Sequence, residues 1–252
     1  MNIFLTLADL FFIGSTLGWV LELFFRHRFS SSNPEHKWIN PGFCVGPYVP
    51  LYGFGLCILY LLAAIGDYSG FGATASGRAI LFVCMAVSMT VIEYIAGIWL
   101  LKRMKLRLWD YSGLRGNIQG LICPLFSVFW AILGAVYYFL VHPYVLDALD
   151  WLARNLAFSF VIGYFFGVFT LDVIYSAHLV SRMRKFAEDN EVIVKFEHVK
   201  AHARAVQDRL HLRPRFFFPL HTRSDRALNH YLRGAKDALE KRIRKDTEKK
   251  AS

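Results

Sequence analysis

Residues 39–55 read INPGFCVGPYVPLYGFG. Hydropathy would begin a membrane helix here, yet the stretch carries Pro41, Pro47 and Pro50 together with four glycines. Proline lacks a backbone N–H and obstructs the turn before it, so the chain breaks at this point. At membrane depth such a break is tolerated only where protein or a water-lined cavity satisfies the freed polar groups. The stretch is therefore either the shaped mouth of a helix, with first-turn prolines, or an interruption that lines a site.

Outward from this stretch the chain is apolar. Of its 252 residues 55% are hydrophobic and 16% aromatic, and its mean hydropathy is +0.35. A soluble domain of this size has no use for so much apolar surface. Five runs carry the excess, at 3–25, 47–66, 79–101, 118–141 and 155–179, each close to the roughly 20 residues that cross a bilayer. Beyond residue 182 the character changes to charged and amphipathic. The expected fold is an all-α polytopic membrane helix bundle of five spans over 1–182, followed by a basic helical tail over 183–252.

Lys and Arg are distributed unevenly between the loops. Arg26, Arg28 and Lys37 follow span one, and Lys102, Arg103, Lys105, Arg107 and Arg115 follow span three, whereas spans two and four are followed only by Arg78 and Arg154. From Arg182 onward the chain holds nineteen of the 29 basic residues, against ten acidic ones. The positive-inside rule then places the N-terminus outside and the C-terminus in the cytoplasm. A signal peptide is not the expected reading of MNIFLTLADLFF, which has no basic n-region and carries Asp9. Cys44, Cys57, Cys84 and Cys123 have no CxxC spacing and read as apolar packing residues rather than disulfides or a metal cage.

The opening stretch has a counterpart. Asn40 is followed at plus seven by Pro47, with Gly42 between, and Asn117 is followed at plus seven by Pro124, with Gly120 between. Each lies in a basic loop entering an even-numbered span, and each follows a span that contains a glutamate, Glu22 or Glu93. The repeated unit crosses the membrane twice, so its two copies run parallel. Matched Gly/Pro-interrupted segments of this kind point to a binding or translocation site in transporter-like folds. Gly14-xxx-Gly18 and Gly163-xxx-Gly167 carry the small-xxx-small spacing of close helix contact.

Glu93 lies nine residues from Lys102, roughly 13 Å along the helix at 1.5 Å per residue. A charged group at that depth costs about 3 kcal/mol unless it faces the bundle and finds partners. Two readings stand: a functional carboxylate, or a neutral one that specifies packing. Glu22 sits one turn before Arg26, with which it can form an interfacial i,i+4 bridge, and Trp19 fits an aromatic belt. Asp172 and Ser176 lie one turn apart in span five, either as a local hydrogen bond or as a polar face toward the bundle. Glu22, Glu93, Asp172 and Ser176 form the candidate polar centre. No catalytic grouping or cofactor motif is present, and the chain does not read as an enzyme.

GWVLELFF, NPGFCVGPYVPLYGFG, IEYIAGIWL, LRLWDYS and GNIQGLICPLFSVFW together resemble the CmpB family of bacterial membrane proteins, described as type IV ABC transporters or ABC transporter permeases. The resemblance runs over about residues 10 to 180. Its pattern falls on Trp19, Glu22, Gly42, Gly46, Pro47, Pro50, Tyr52, Gly53, Glu93, Trp109, Asp110, Tyr111, Ser112, Asn117 and Gly120, and more loosely on Asp172 and Ser176. Pro41 and the Gln119–Gly120 pair depart from it, standing where relatives carry arginine. The resemblance implies a multi-pass transport protein of a bacterial inner (plasma) membrane. No GxxxxGK[ST] occurs, so any ATPase is on a separate chain. The expected partners are the lipid bilayer, that ATPase subunit or another membrane protein, and a second copy of the chain; nucleic acid is not expected. Asp110, after four basic residues and before Arg115, reads as a loop anchor or helix cap.

In the tail, Val192, Phe196, Val199, Ala203, Val206 and Leu210 form one helical stripe over 191–210, and Leu228, Leu232, Ala235, Leu239 and Ile243 a second. Their basic charge and Phe216–Phe218 suit the surface of an anionic leaflet. His198 and His202 stand at i,i+4 without a third ligand and read as a solvated face, so no metal site is assigned. The alternative to transport is a membrane-anchored scaffold or regulatory protein that recruits a partner through this tail.

Overall fold

The computed structural model of the chain describes residues 3–30, 33, 36, 38–42, 44–155, 157–190, 193–195 and 234. The two tail stripes, apart from 193–195, and the His198/His202 pair lie outside the described residues. Among the described residues, five helices are long and apolar enough to cross a membrane. They are α1 (Ile3–Arg28), α2 (Pro50–Tyr68), α3 (Ala75–Met104), a continuous run formed by α4 (Pro124–Val136) and α5 (His142–Arg154), and α6 (Ala157–Asp189). A π-helical turn at Tyr137–Val141 joins α4 to α5.

α1 packs mainly on α2 and α3 on α4, so each copy of the repeated unit is a helix pair. α2 packs on α3 and joins the pairs, while α6 lies more lightly against α1 and α3. The α1–α2 contact depends on glycine. A Cβ on Gly18 would land on the Tyr52 side chain, and one on Gly14 would come within 2.9 Å of the Leu56 Cβ. Gly53 presents the reciprocal surface to Phe11 and Ser15. A Cβ on Gly163 or Gly167 would meet nothing within 4 Å, so the second small-xxx-small pair makes no close helix contact among the described residues.

The even-numbered spans begin later than hydropathy suggests. α2 starts at Pro50, not at residue 47, and α4 at Pro124, not at 118. In both, an extended residue precedes the proline, Val49 and Cys123, because the proline ring excludes the α conformation from its predecessor. First-turn placement thus holds for Pro124 but passes from Pro47 to Pro50. Before α4, Gln119 and Gly120 both have positive φ, 55° and 69°, and an antiparallel bridge joins Ile118 to Ile122. Gly42 matches Gly120 in the first copy, with φ 73°.

α6 continues without a break through residue 182 to Asp189. Its Val180, Met183 and Ala187 form a small core with Leu106 and Val194. Two short strands, β1 (Leu106–Arg107) and β2 (Val194–Lys195), pair in parallel there. The described part of the first tail stripe, Val194–Lys195, is therefore extended rather than helical. Val192, Ile193 and Val194 are β-branched, which favours a pleated conformation once a partner edge is present. None of the four cysteines forms a disulfide, and the Cys57 thiol donates to the Leu7 carbonyl at 3.3 Å.

Candidate functional site

Glu22, Glu93 and Asp172 separate into two polar centres. In the first, Glu93 is only 3% exposed. One of its oxygens accepts the Tyr111 hydroxyl at 3.0 Å, and the other accepts the Trp130 indole N–H at 2.9 Å. Tyr111 comes from the loop between β1 and α4, and its ring stacks on Phe126 at 4.4 Å and 12°. Burial first, and then the charge and hydrogen bond of Glu93, push the Tyr111 phenol well above its ordinary value, so it remains a donor.

Glu22 stands beside this centre. It accepts the Tyr52 hydroxyl at 2.8 Å through one oxygen and Arg26 Nε at 2.9 Å through the other. The i,i+4 bridge is present, and the Tyr52 ring approaches Trp130 to 5.1 Å. The Glu22 charge acts on Glu93, and both act on Tyr52. The two glutamates therefore belong to one network, in which, among the described residues, only Glu22 has a cation. Tyr52 and Phe126 each follow the first-turn proline of their helix by two residues, so the two copies aim an aromatic ring at the same region.

Asp172 does not join them. Fully buried in α6, it accepts Val45 N at 3.1 Å, Gly46 N at 2.7 Å, the Tyr48 hydroxyl, and Ser176 Oγ at 3.0 Å. Burial, with the hydrogen bond and charge of Asp172, raises the Tyr48 phenol far above its ordinary value. Four donors compensate the carboxylate and fasten residues 45–48 to α6, which accounts for the path of the Pro47 segment. Asn40 completes that segment by donating to the Cys44 and Val45 carbonyls at 3.2 and 2.9 Å, and it accepts Trp19 Nε1 at 2.5 Å. Trp19 is thus a fastener of the loop as well as a ring on α1.

A family model described as "Putative ABC-transporter type IV" matches residues 10–177. The chain belongs to this family. No curated protein and no solved structure matches it. The matched span contains both polar centres and ends within α6.

The other residues of the type IV pattern build the loop that delivers Tyr111. Trp109 donates to the Leu121 carbonyl at 2.8 Å. Asp110 accepts Arg107 at 2.9 Å and Ser112 N at 3.1 Å, so it anchors the loop, and the residues after it form turns rather than a helix that it could cap. Asn117 donates to the Ser112 and Leu114 carbonyls at 3.3 and 2.7 Å and accepts Gly120 N at 3.0 Å. A side chain on Gly120 would collide with the Arg107 guanidinium. The loop is a closed hydrogen-bonded unit, with Tyr111 on Glu93 at one end and β1 paired to the tail at the other. Sequence reading assigned no role to Trp130, although an indole in the span facing Glu93 is a donor a buried carboxylate needs.

Proposed function

We propose that the chain is the membrane-spanning, permease-like component of a transport system, not itself an enzyme, with ATP hydrolysis on a separate chain. Its N-terminus lies outside and its C-terminus in the cytoplasm of a bacterial inner membrane, consistent with the basic loops. The observation that carries this reading is Glu93, a buried carboxylate in a span whose two partners are both neutral donors. Buried carboxylates of this kind in membrane helices mark substrate, ion or proton paths. One donor is supplied by the loop that also pairs with the tail, so displacing that loop changes the hydrogen bonding of Glu93.

The test is flux. The chain is reconstituted in proteoliposomes with its co-purifying ATPase, and the ATP-dependent change in an enclosed metabolite mixture is read by mass spectrometry. Glu93→Gln keeps the acceptor for Trp130 and removes the charge, so flux is lost while folding is kept. A scaffold recruiting a partner through its tail is the second reading, favoured by the β1–β2 pairing and the core that α6 forms beneath it. That reading predicts that removal of residues 196–252 abolishes function while Glu93→Gln leaves it intact.

A further inference from the structure

A third polar cluster lies at the end of the bundle where α2 gives way to α3, away from Glu93 and Asp172. Tyr137 Oη is 2.9 Å from His142 Nδ1, and His142 Nε2 is 3.4 Å from Asp67 Oδ2. His142 has a 7% exposed side chain, whereas that of Asp67 is 59% exposed. We propose that His142 is a proton-binding site, with Asp67 as its water-facing counter-ion, and that proton uptake reverses the hydrogen bond to Tyr137.

The backbone is built for this contact. In an α-helix, residues five apart point about 140° away from each other, at roughly 100° per residue. Here the His142 N–H bonds the Tyr137 carbonyl, five residues back, in a π-turn. This wider turn brings both side chains to the same side. Pro143 follows immediately and has no N–H to continue the regular ladder. π-turns of this kind occur frequently at functional sites.

The donors and acceptors then fix the states. An ionised Asp67 can only accept, so the neutral imidazole carries its hydrogen on Nε2. Nδ1 is left as an acceptor, and the Tyr137 hydroxyl donates to it. A proton taken from water binds Nδ1; Asp67 and Tyr137 lose none. Both ring nitrogens are then donors, so Tyr137 must turn from donor to acceptor and its O–H must point elsewhere. Histidine is the side chain whose ordinary titration range makes such a switch physiological.

The groups around the ring come from each neighbouring element. α2 contributes Asp67 and Tyr60, whose ring lies 6.1 Å from the imidazole, and Cys57 acts on Tyr137. The first turn of α3 contributes Arg78, which acts on Tyr138 together with Asp67. Tyr137 also shares a buried core with Trp130, seven residues earlier on the same helical run, and Trp130 is the donor to Glu93. The protonation state of His142 is thus read by a residue packed in the same core as the Glu93 partner.

The test is nitrogen NMR of the full chain, labelled at histidine and held in nanodiscs, with His142 assigned by the signal lost in His142→Asn. The pH is lowered stepwise from about 8 to about 5, and conversion of the ring from the Nε2–H tautomer to the doubly protonated form is the result that supports the proposal. Asp67→Asn changes the pH of that conversion, and Tyr137→Phe, which keeps the ring volume, loosens the tautomer preference. A ring that stays neutral across the range, or one that converts at the same pH in Asp67→Asn, overturns the proposal. None of these readouts requires flux, so failure of the transport reading leaves them unchanged.

Discussion

The Tyr111 hydroxyl reaches Glu93 at 3.0 Å across eighteen residues of chain, from a loop into the interior of a helix pair. Tyr111→Phe keeps the stack on Phe126 and removes only this donor, leaving Trp130 to hold the carboxylate. Loss of one hydrogen bond to this buried carboxyl group costs about 1–3 kcal/mol. Trp130→Phe has a similar effect, and the double variant departs from additivity because both act on one group. Chemical denaturation of the four proteins in one detergent measures that departure; strict additivity contradicts a shared centre.

Asp172 gathers four donors, two of them backbone N–H groups of the segment before α2. Asp172→Ala leaves those donors buried without an acceptor and costs about 3 kcal/mol. Cys44, buried beside them, then becomes reactive to maleimide, while Cys123, buried under the other loop, keeps its rate. Equal acceleration at both thiols would mean general loosening rather than release of the segment.

The two small-xxx-small pairs differ in consequence. Gly18→Ala pushes a methyl group into Tyr52 and separates α1 from α2, at a cost of about 1–3 kcal/mol. Gly163→Ala meets nothing within 4 Å, so its thermal midpoint in detergent stays at that of the unaltered protein. A large loss at Gly163 would reveal a contact supplied by another molecule.

Gln119 holds φ 55° without being glycine or asparagine. Gln119→Gly relieves about 1 kcal/mol of left-handed strain. Gly120→Ala destabilises, since its Cβ meets Arg107. Opposite shifts of the thermal midpoint for these adjacent positions check the geometry of the turn before α4.

Much of this architecture is written locally. Apolar runs set the five helices, and prolines set where α2 and α4 begin, because helix length and the proline ring act over a few residues. The Asp172–Ser176 and Glu22–Arg26 pairs were legible for the same reason, being one helical turn apart. The separation of Asp172 from the two glutamates was not legible, since it depends on how α6 leans against α1. Tyr111 is likewise obscure in sequence: a tyrosine in a polar loop gives no sign of the buried acceptor it will reach. Asp67 and His142 sit at the ends of hydrophobic runs and read there as ordinary boundary residues. The proline after His142 was the available signal, for it marks the disturbed turn that joins His142 to Tyr137.

The central claim is that Glu93 serves transport rather than packing. ATP-dependent metabolite flux in proteoliposomes, compared between the unaltered chain and Glu93→Gln at matched incorporation and fold, tests it most directly. Flux is expected in the first and lost in the second. Equal flux in both, or none in either with the co-purifying ATPase active, contradicts it.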